Sequence, residues 1–147
     1  MWQRFSGAGS VDECERLASI EEAIDELKDR ALCGAVVLVE GPRDRDALRR
    51  LGIAGEIVMT SQRQLFPLAE SLARSGRDIV VLTDWDERGD EVAKQVSMYL
   101  KADGARPDNE IRGSLKSLVR KEIKDVESLH GYVEKLRKIC SAKPQHY

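Results

Sequence analysis

The carboxylates of this chain that invite a chemical reading stand where two short apolar runs end. Val36 to Val39 runs into Glu40-Gly41-Pro42-Arg43-Asp44, and Ile79 to Leu82 runs into Thr83-Asp84-Trp85-Asp86, with Gly89 and Asp90 just beyond. Each run reads as a buried strand delivering acids at its C-terminal end, the edge where open α/β sheets place ligands. If the two strands lie side by side, Glu40, Asp84 and Asp86 bring oxygen donors together. Hard oxygen donors suit Mg²⁺ or Mn²⁺, held by one or two carboxylates together with substrate phosphate oxygens. Crowded carboxylates repel one another without a counter-ion, so a divalent cation would relieve that cost and bridge to a phosphodiester. The competing reading is that such acids form turns or cap helices. Glu-Gly and Asp-x-Asp occurring together argue for ligands, where either alone would be weak. For Asp44 and Asp90, proximity to a helix N-terminus is by itself a sufficient reason for negative charge.

Basic residues flank these acids. Arg43, Arg45, Arg49 and Arg50 follow Gly41, with Arg43 and Arg45 the better placed to meet a nucleic-acid backbone. Arg112, Lys116, Arg120 and Lys124 recur every four residues, a stripe that serves either as phosphate contact or as an ordinary solvated helix face. By strand alternation Trp85 points away from the aspartates flanking it, toward packing rather than base stacking. His130 and His146 lack partner spacing. Of the tyrosines, Tyr99 falls on a core-facing helical position, which argues against a covalent nucleophile there.

The pattern of four apolar residues, Glu-Gly, two residues and Asp, followed about forty residues later by an apolar run and Asp-x-Asp-x-x-Gly-Asp, resembles the Toprim domain. That domain is shared by type IA and type II topoisomerases, bacterial primases, OLD-type nucleases, RecR-type recombination mediators and a ribosomal-RNA maturation nuclease. Glu40, Gly41 and Asp44 match the first motif, and Asp84, Asp86, Gly89 and Asp90 the second; Trp85 departs from the small residue or proline frequent between the two aspartates. The resemblance covers residues 34–108 and is nearest to the small stand-alone Toprim proteins of archaea. It implies a Rossmann-like α/β fold with a mainly parallel four-stranded sheet flanked by helices, and metal-dependent chemistry on RNA or DNA phosphodiesters. Glu40, Asp84 and Asp86 would then be catalytic, with Asp90 a further metal ligand. RecR-type relatives imply an alternative, a non-catalytic binding or accessory protein that works with a partner.

The elements that must position these residues follow from periodicity. Leu17, Ile20, Ala23, Ile24 and Leu27 predict an amphipathic helix over 11–31, opened by a capping box of Ser10 and Glu13. A strand over 35–40 ends at Gly41-Pro42, and a short helix runs to Gly52. A strand over 56–59 precedes a helix opened by a second capping box, Ser61 and Gln64, that stops near Gly76. The acidic strand spans 78–83, a helix runs from Glu87 to Asp103-Gly104, and 105–108 reads as a short edge strand. The tail carries one helical period from Ile111 to Val126 and a second from Leu129 to Ile139, and SAKPQHY reads as a frayed end. The expected organisation is an N-terminal helical extension (1–33), a central α/β domain (34–108) and a C-terminal helical extension (109–147) packed on the same domain.

Composition sets bounds. At 147 residues the chain has room for one ordinary core and no second catalytic module. A formal net charge of −2 gives no global positive field for nucleic acid, though a local patch remains compatible with one. Cys14, Cys33 and Cys140, odd in number and without a CxxC pair, argue against a disulfide framework or structural zinc, and the expected setting is a reducing cytoplasm. No 18-residue apolar stretch and no signal-peptide core occur, so neither a membrane nor secretion is expected.

Overall fold

The computed structural model describes residues 5–141, with side chains over 12–141. Four parallel strands, β1 (Val36–Val39), β2 (Ile57–Met59), β3 (Ile79–Val81) and β4 (Pro107–Asp108), form one sheet in the order β2-β1-β3-β4. The order reverses at β1, so β1 and β3 are direct neighbours, with Val36 opposite Ile79 and Leu38 opposite Val81. The fold class expected from the alternating pattern is the one observed.

Because strand side chains alternate, each central strand feeds two cores. Val37, Val39, Val80 and Leu82 face α1 (Phe5–Leu32), α5 (Glu110–Val119) and α6 (Leu129–Ser141), meeting Ile20, Leu27, Leu115 and Leu136. Val36, Leu38, Ile79 and Val81 face α3 (Leu65–Arg74) and α4 (Glu87–Ala102), meeting Leu68, Val96 and Leu100. The terminal helices therefore share the core with the first face of the sheet and α2 (Pro42–Arg50), whose Leu48 joins that cluster.

Four local expectations change. α1 begins at Phe5, so Ser10 lies inside it and no capping box opens the helix there. Ser61 lies in a 3-10 turn (Thr60–Gln62), and Gln64 precedes α3 without a side-chain cap, so no second capping box forms. The tail helix stops at Val119, and Val126 belongs to a separate 3-10 turn (Val126–Ser128). The helical period is overridden there by tertiary hydrogen bonds: the Trp85 amide donates to Lys124 O, the Trp85 indole to Ile123 O at 2.8 Å, and the Val126 amide to Asp84. Trp85 itself is buried, as strand alternation predicted. Finally, Cys14 and Cys140 form a disulfide between α1 and α6, against the expectation of unpaired thiols, because the fold brings residues 126 apart in sequence to a Cα separation of 5.7 Å; Cys33 remains free and exposed. The side chain of Ser10, together with His146, Tyr147 and the stretch 142–147, lies outside the described residues.

Candidate functional site

Parallel pairing of β1 with β3 brings the two acidic ends together. The Asp84 amide donates to Glu40 Oε2 at 2.9 Å, so the first motif's acid grips the backbone of the second. The Asp84 carboxylate is turned toward the tail, where Oδ1 accepts the Val126 amide at 3.0 Å. Asp44, in the first turn of α2, is buried; its Oδ2 accepts the Gly41 amide at 3.0 Å, and the Glu127 amide also donates to it. Asp125 accepts the Ser128 amide at 2.9 Å. The N-terminal end of one 3-10 turn thus offers three successive amides, those of Val126, Glu127 and Ser128, to three carboxylates. Unpaired N–H groups at a helix start favour negative charge in this way.

Glu40, Asp44, Asp84, Asp125 and Glu127 line an open cavity of about 530 Å³, and Thr60, Ser61, Arg43, Arg63 and Arg88 are among the other residues of its lining. Burial pushes the Asp84 carboxyl up to about 7; the Val126 hydrogen bond opposes this, while the charges of Asp44, Glu40 and Asp125 add to it. Asp44 is likewise raised, first by burial. Arg88 Nη1 stands 3.5 Å from Glu40 Oε1, and Arg43 Nη1 3.7 Å from Glu127.

The other anticipated residues are placed differently. Asp86 is exposed and caps α4, accepting the Gly89 amide at 2.7 Å, outside the cavity lining. Asp90 is no member of the carboxylate group: its oxygens are taken by Arg112 Nη2 and Lys116 Nζ, each at 2.6 Å. Burial opposes its ionisation, but these two cations hold the carboxyl below the usual carboxylate range. Arg112 is buried, which removes it from the expected exposed stripe; Lys116 is spent on Asp90, and Arg120 is exposed at the end of α5. Arg45 pairs with Asp46 at 3.2 Å and lies outside the cavity lining, whereas Arg43 lines it. Among the described residues no three His, Cys, Asp or Glu side chains converge in a ready-made metal cage.

Sequence reasoning missed Asp125, Glu127, Ser61, Arg63 and Arg88 as cavity residues. For Asp125 a signal existed in the Asp-x-x-Ser spacing to Ser128, which marks a helix cap and so a chain break. Arg63 and Arg88 carry no such signal. Gly89 has a steric reason: a Cβ there would sit 1.8 Å from Asp84 O, and Thr83 Oγ1 donates to Gly89 O at 2.8 Å, so α4 starts in direct backbone contact with the acidic loop. Gly41 has no such constraint, since the nearest atom to an added Cβ is Ser61 Oγ at 4.0 Å.

Fold and site together define a parallel-sheet α/β protein with a carboxylate-walled cleft at the C-terminal edge of its two central strands. Comparison then gives the family. The chain is 47% identical to a UPF0292 protein of Methanosarcina barkeri over 123 residues, covering 84% of this chain and 86% of that protein. It is 41% identical to a UPF0292 protein of Pyrococcus abyssi over 118 residues, 79% of this chain and 85% of that protein. The chain belongs to the UPF0292 family. A solved protein from Aquifex aeolicus is similar in structure, with a TM-score of 0.63 and 27% identity over 74% of this chain and 95% of that one. No family model matches the chain. Among the described residues no helix is long and apolar enough to cross a membrane.

Proposed function

We propose that this protein is a small stand-alone Toprim protein and a Mg²⁺- or Mn²⁺-dependent phosphodiester enzyme acting on structured RNA or DNA. The observation that carries this reading is the juxtaposition of Glu40 and Asp84 at the ends of adjacent parallel strands, where burial first, and then the charges of Asp44, Glu40 and Asp125, raise the Asp84 carboxyl to about 7. The donor set fits a hard divalent cation, because it is all oxygen and its mutual repulsion falls when positive charge enters. Glu40 and Asp84 would hold the ion together with substrate phosphate oxygens; Asp86, committed to the α4 cap outside the cavity lining, and Asp90, neutralised by Arg112 and Lys116, would not. The bound ion would polarise the phosphorus–oxygen bond and lower the pKa of a water.

The protein's own residues do the remainder. Glu40 is fixed by the Asp84 amide through Oε2, and Oε1, which meets the exposed Arg88 at 3.5 Å, is the oxygen that would act as general acid or base. Arg43, Arg63 and Arg88 line the cleft with side chains suited to phosphate oxygens. The non-catalytic alternative, a nucleic-acid-binding or accessory protein, draws support from the amides of Val126, Glu127 and Ser128, which satisfy the carboxylates without any ion. Labelled single-stranded, duplex and hairpin RNA and DNA, incubated with the purified protein and Mg²⁺, Mn²⁺ or chelator, separate the two readings. Metal-dependent cleavage abolished in Asp84→Asn is expected. Retention of the substrates without cleavage in every metal condition selects the accessory reading.

A further inference from the structure

Arg112 is among the few charged side chains buried in the described structure, and nothing in its sequence setting marks it apart from the basic stripe. Its guanidinium makes three bonds around one loop. Nε donates to Thr83 O at 3.0 Å, and Nη2 donates to Asp84 O and to Asp90 Oδ1. The two carbonyls belong to the acidic loop, on the side of β3 where β4 has already ended: β4 pairs only Pro107 with Ile79 and Asp108 with Val80. Beyond that register the β3 edge has no strand partner, and buried carbonyls there need another donor. The planar fork of an arginine meets adjacent acceptors in one rigid unit, a geometry that a lysine ammonium does not reproduce.

Asp90 completes the device. It sits in the first turn of α4, takes the remaining charge of Arg112, and draws in Lys116 one helical turn further along α5. A buried guanidinium without such a partner would be costly. The opposite side of the same loop is held by the tail, through Trp85 to Lys124 O and Ile123 O and through Asp84 to Val126.

We infer that Arg112, neutralised by Asp90, is a positioning residue that fixes the backbone of Thr83 and Asp84, so that the C-terminal segment is a structural part of the carboxylate site and not an appendage. Its consequence for metal binding rests on the proposed reading of Asp84 as a ligand, whereas the clamp itself does not. The two are tested separately. In Arg112→Gln, Arg112→Lys and Asp90→Asn, amide hydrogen exchange of the peptide spanning Thr83 to Arg88 is compared with peptides from β1 and α3, and Mn²⁺ affinity is measured by titration of each folded protein. Arg112→Gln is expected to speed exchange of the loop peptide about tenfold relative to the β1 and α3 peptides, the fold-change of one lost charge-assisted hydrogen bond. Arg112→Lys recovers part of that protection, and Asp90→Asn falls between.

Mn²⁺ affinity is expected to fall in the same order while the melting transition stays cooperative. Exchange that rises uniformly along the chain, or loop exchange unchanged in Arg112→Gln, overturns the inference. If that variant does not fold, Arg112→Lys and Asp90→Asn decide by the same loop-to-sheet comparison. A wild-type protein that binds no Mn²⁺ removes the ligand reading of Asp84, and the exchange data still decide the clamp.

Discussion

Asp84→Asn removes one charge from a crowded group while keeping the shape and the acceptor, because an asparagine carbonyl oxygen can take the Val126 amide that Asp84 Oδ1 takes at 3.0 Å. The folded-state carboxyl titrates near 7 against an ordinary value of 3.8, with burial the main cause and Asp44, Glu40 and Asp125 contributing. A carboxyl whose pKa is higher in the folded state binds its proton more tightly when folded. Below the unfolded value both states are protonated and nothing is lost; as pH rises from about 4 to about 7 the unfolded chain ionises first, so wild-type stability falls across that window and stays lower above it. At about 1.4 kcal/mol per tenfold change in proton affinity, the displacement sets a ceiling of about 4 kcal/mol. Partial exposure of Asp84 screens the charges, and roughly 1–2 kcal/mol is the expected effect. For a chain of this size that is about 3–6 °C in Tm.

The assay is a set of thermal melts of wild type and variant at about pH 4 and about pH 8, with and without millimolar Mg²⁺. The variant should gain on the wild type between the two pH values, and Mg²⁺ should raise the wild-type Tm at the higher pH while leaving the variant unmoved. Parallel melting curves at both pH values would refute the crowding of Asp84. A Mg²⁺ response equal in both proteins would refute its role as a ligand.

Gly89→Ala should destabilise the fold by about 2–4 kcal/mol, since its Cβ would press on the Asp84 carbonyl rather than on a flexible side chain; a denaturant midpoint close to wild type would show that the loop yields freely. Replacing both Arg63 and Arg88 by Gln should weaken nucleic-acid binding across sequences and reduce the salt slope by about 2, while Arg120→Gln at the exposed end of α5 leaves it unchanged; filter binding over a salt series measures both. Cys14→Ser with Cys140→Ser, or reduction of the wild type, should cost roughly 2–4 kcal/mol by releasing the long loop that the disulfide closes. Thiol titration under native oxidised conditions should then detect Cys33 alone, and more reactive thiols in that state would mean the pair is open.

Much of the architecture was legible because it rests on local pattern. Val36 to Val39 and Ile79 to Leu82 are apolar without alternation, as strands buried on both faces must be, and the helical periods through Leu17 to Leu27 and Val92 to Leu100 place one face of each helix in a core. The acids at the strand ends were visible for the same reason. Where the reading strayed, at the Ser61 and Gln64 cap and at the helix carried through to Val126, the local signal was genuine but a competing tertiary contact decided the backbone.

The sequence by itself therefore determined the four strands and most of the helices, and that Glu40 and Asp84 stand at the ends of two of those strands. Pairing β1 beside β3 was a tertiary decision, and so were the turn of Asp84 toward Val126, the capture of Asp90 by Arg112 and Lys116, and the meeting of Cys14 with Cys140. The physical reason is range. Periodicity records what a residue's near neighbours require, whereas a buried guanidinium or a carboxylate takes its role from groups tens of residues away, and those become neighbours only when burial of the shared apolar faces folds the chain around them.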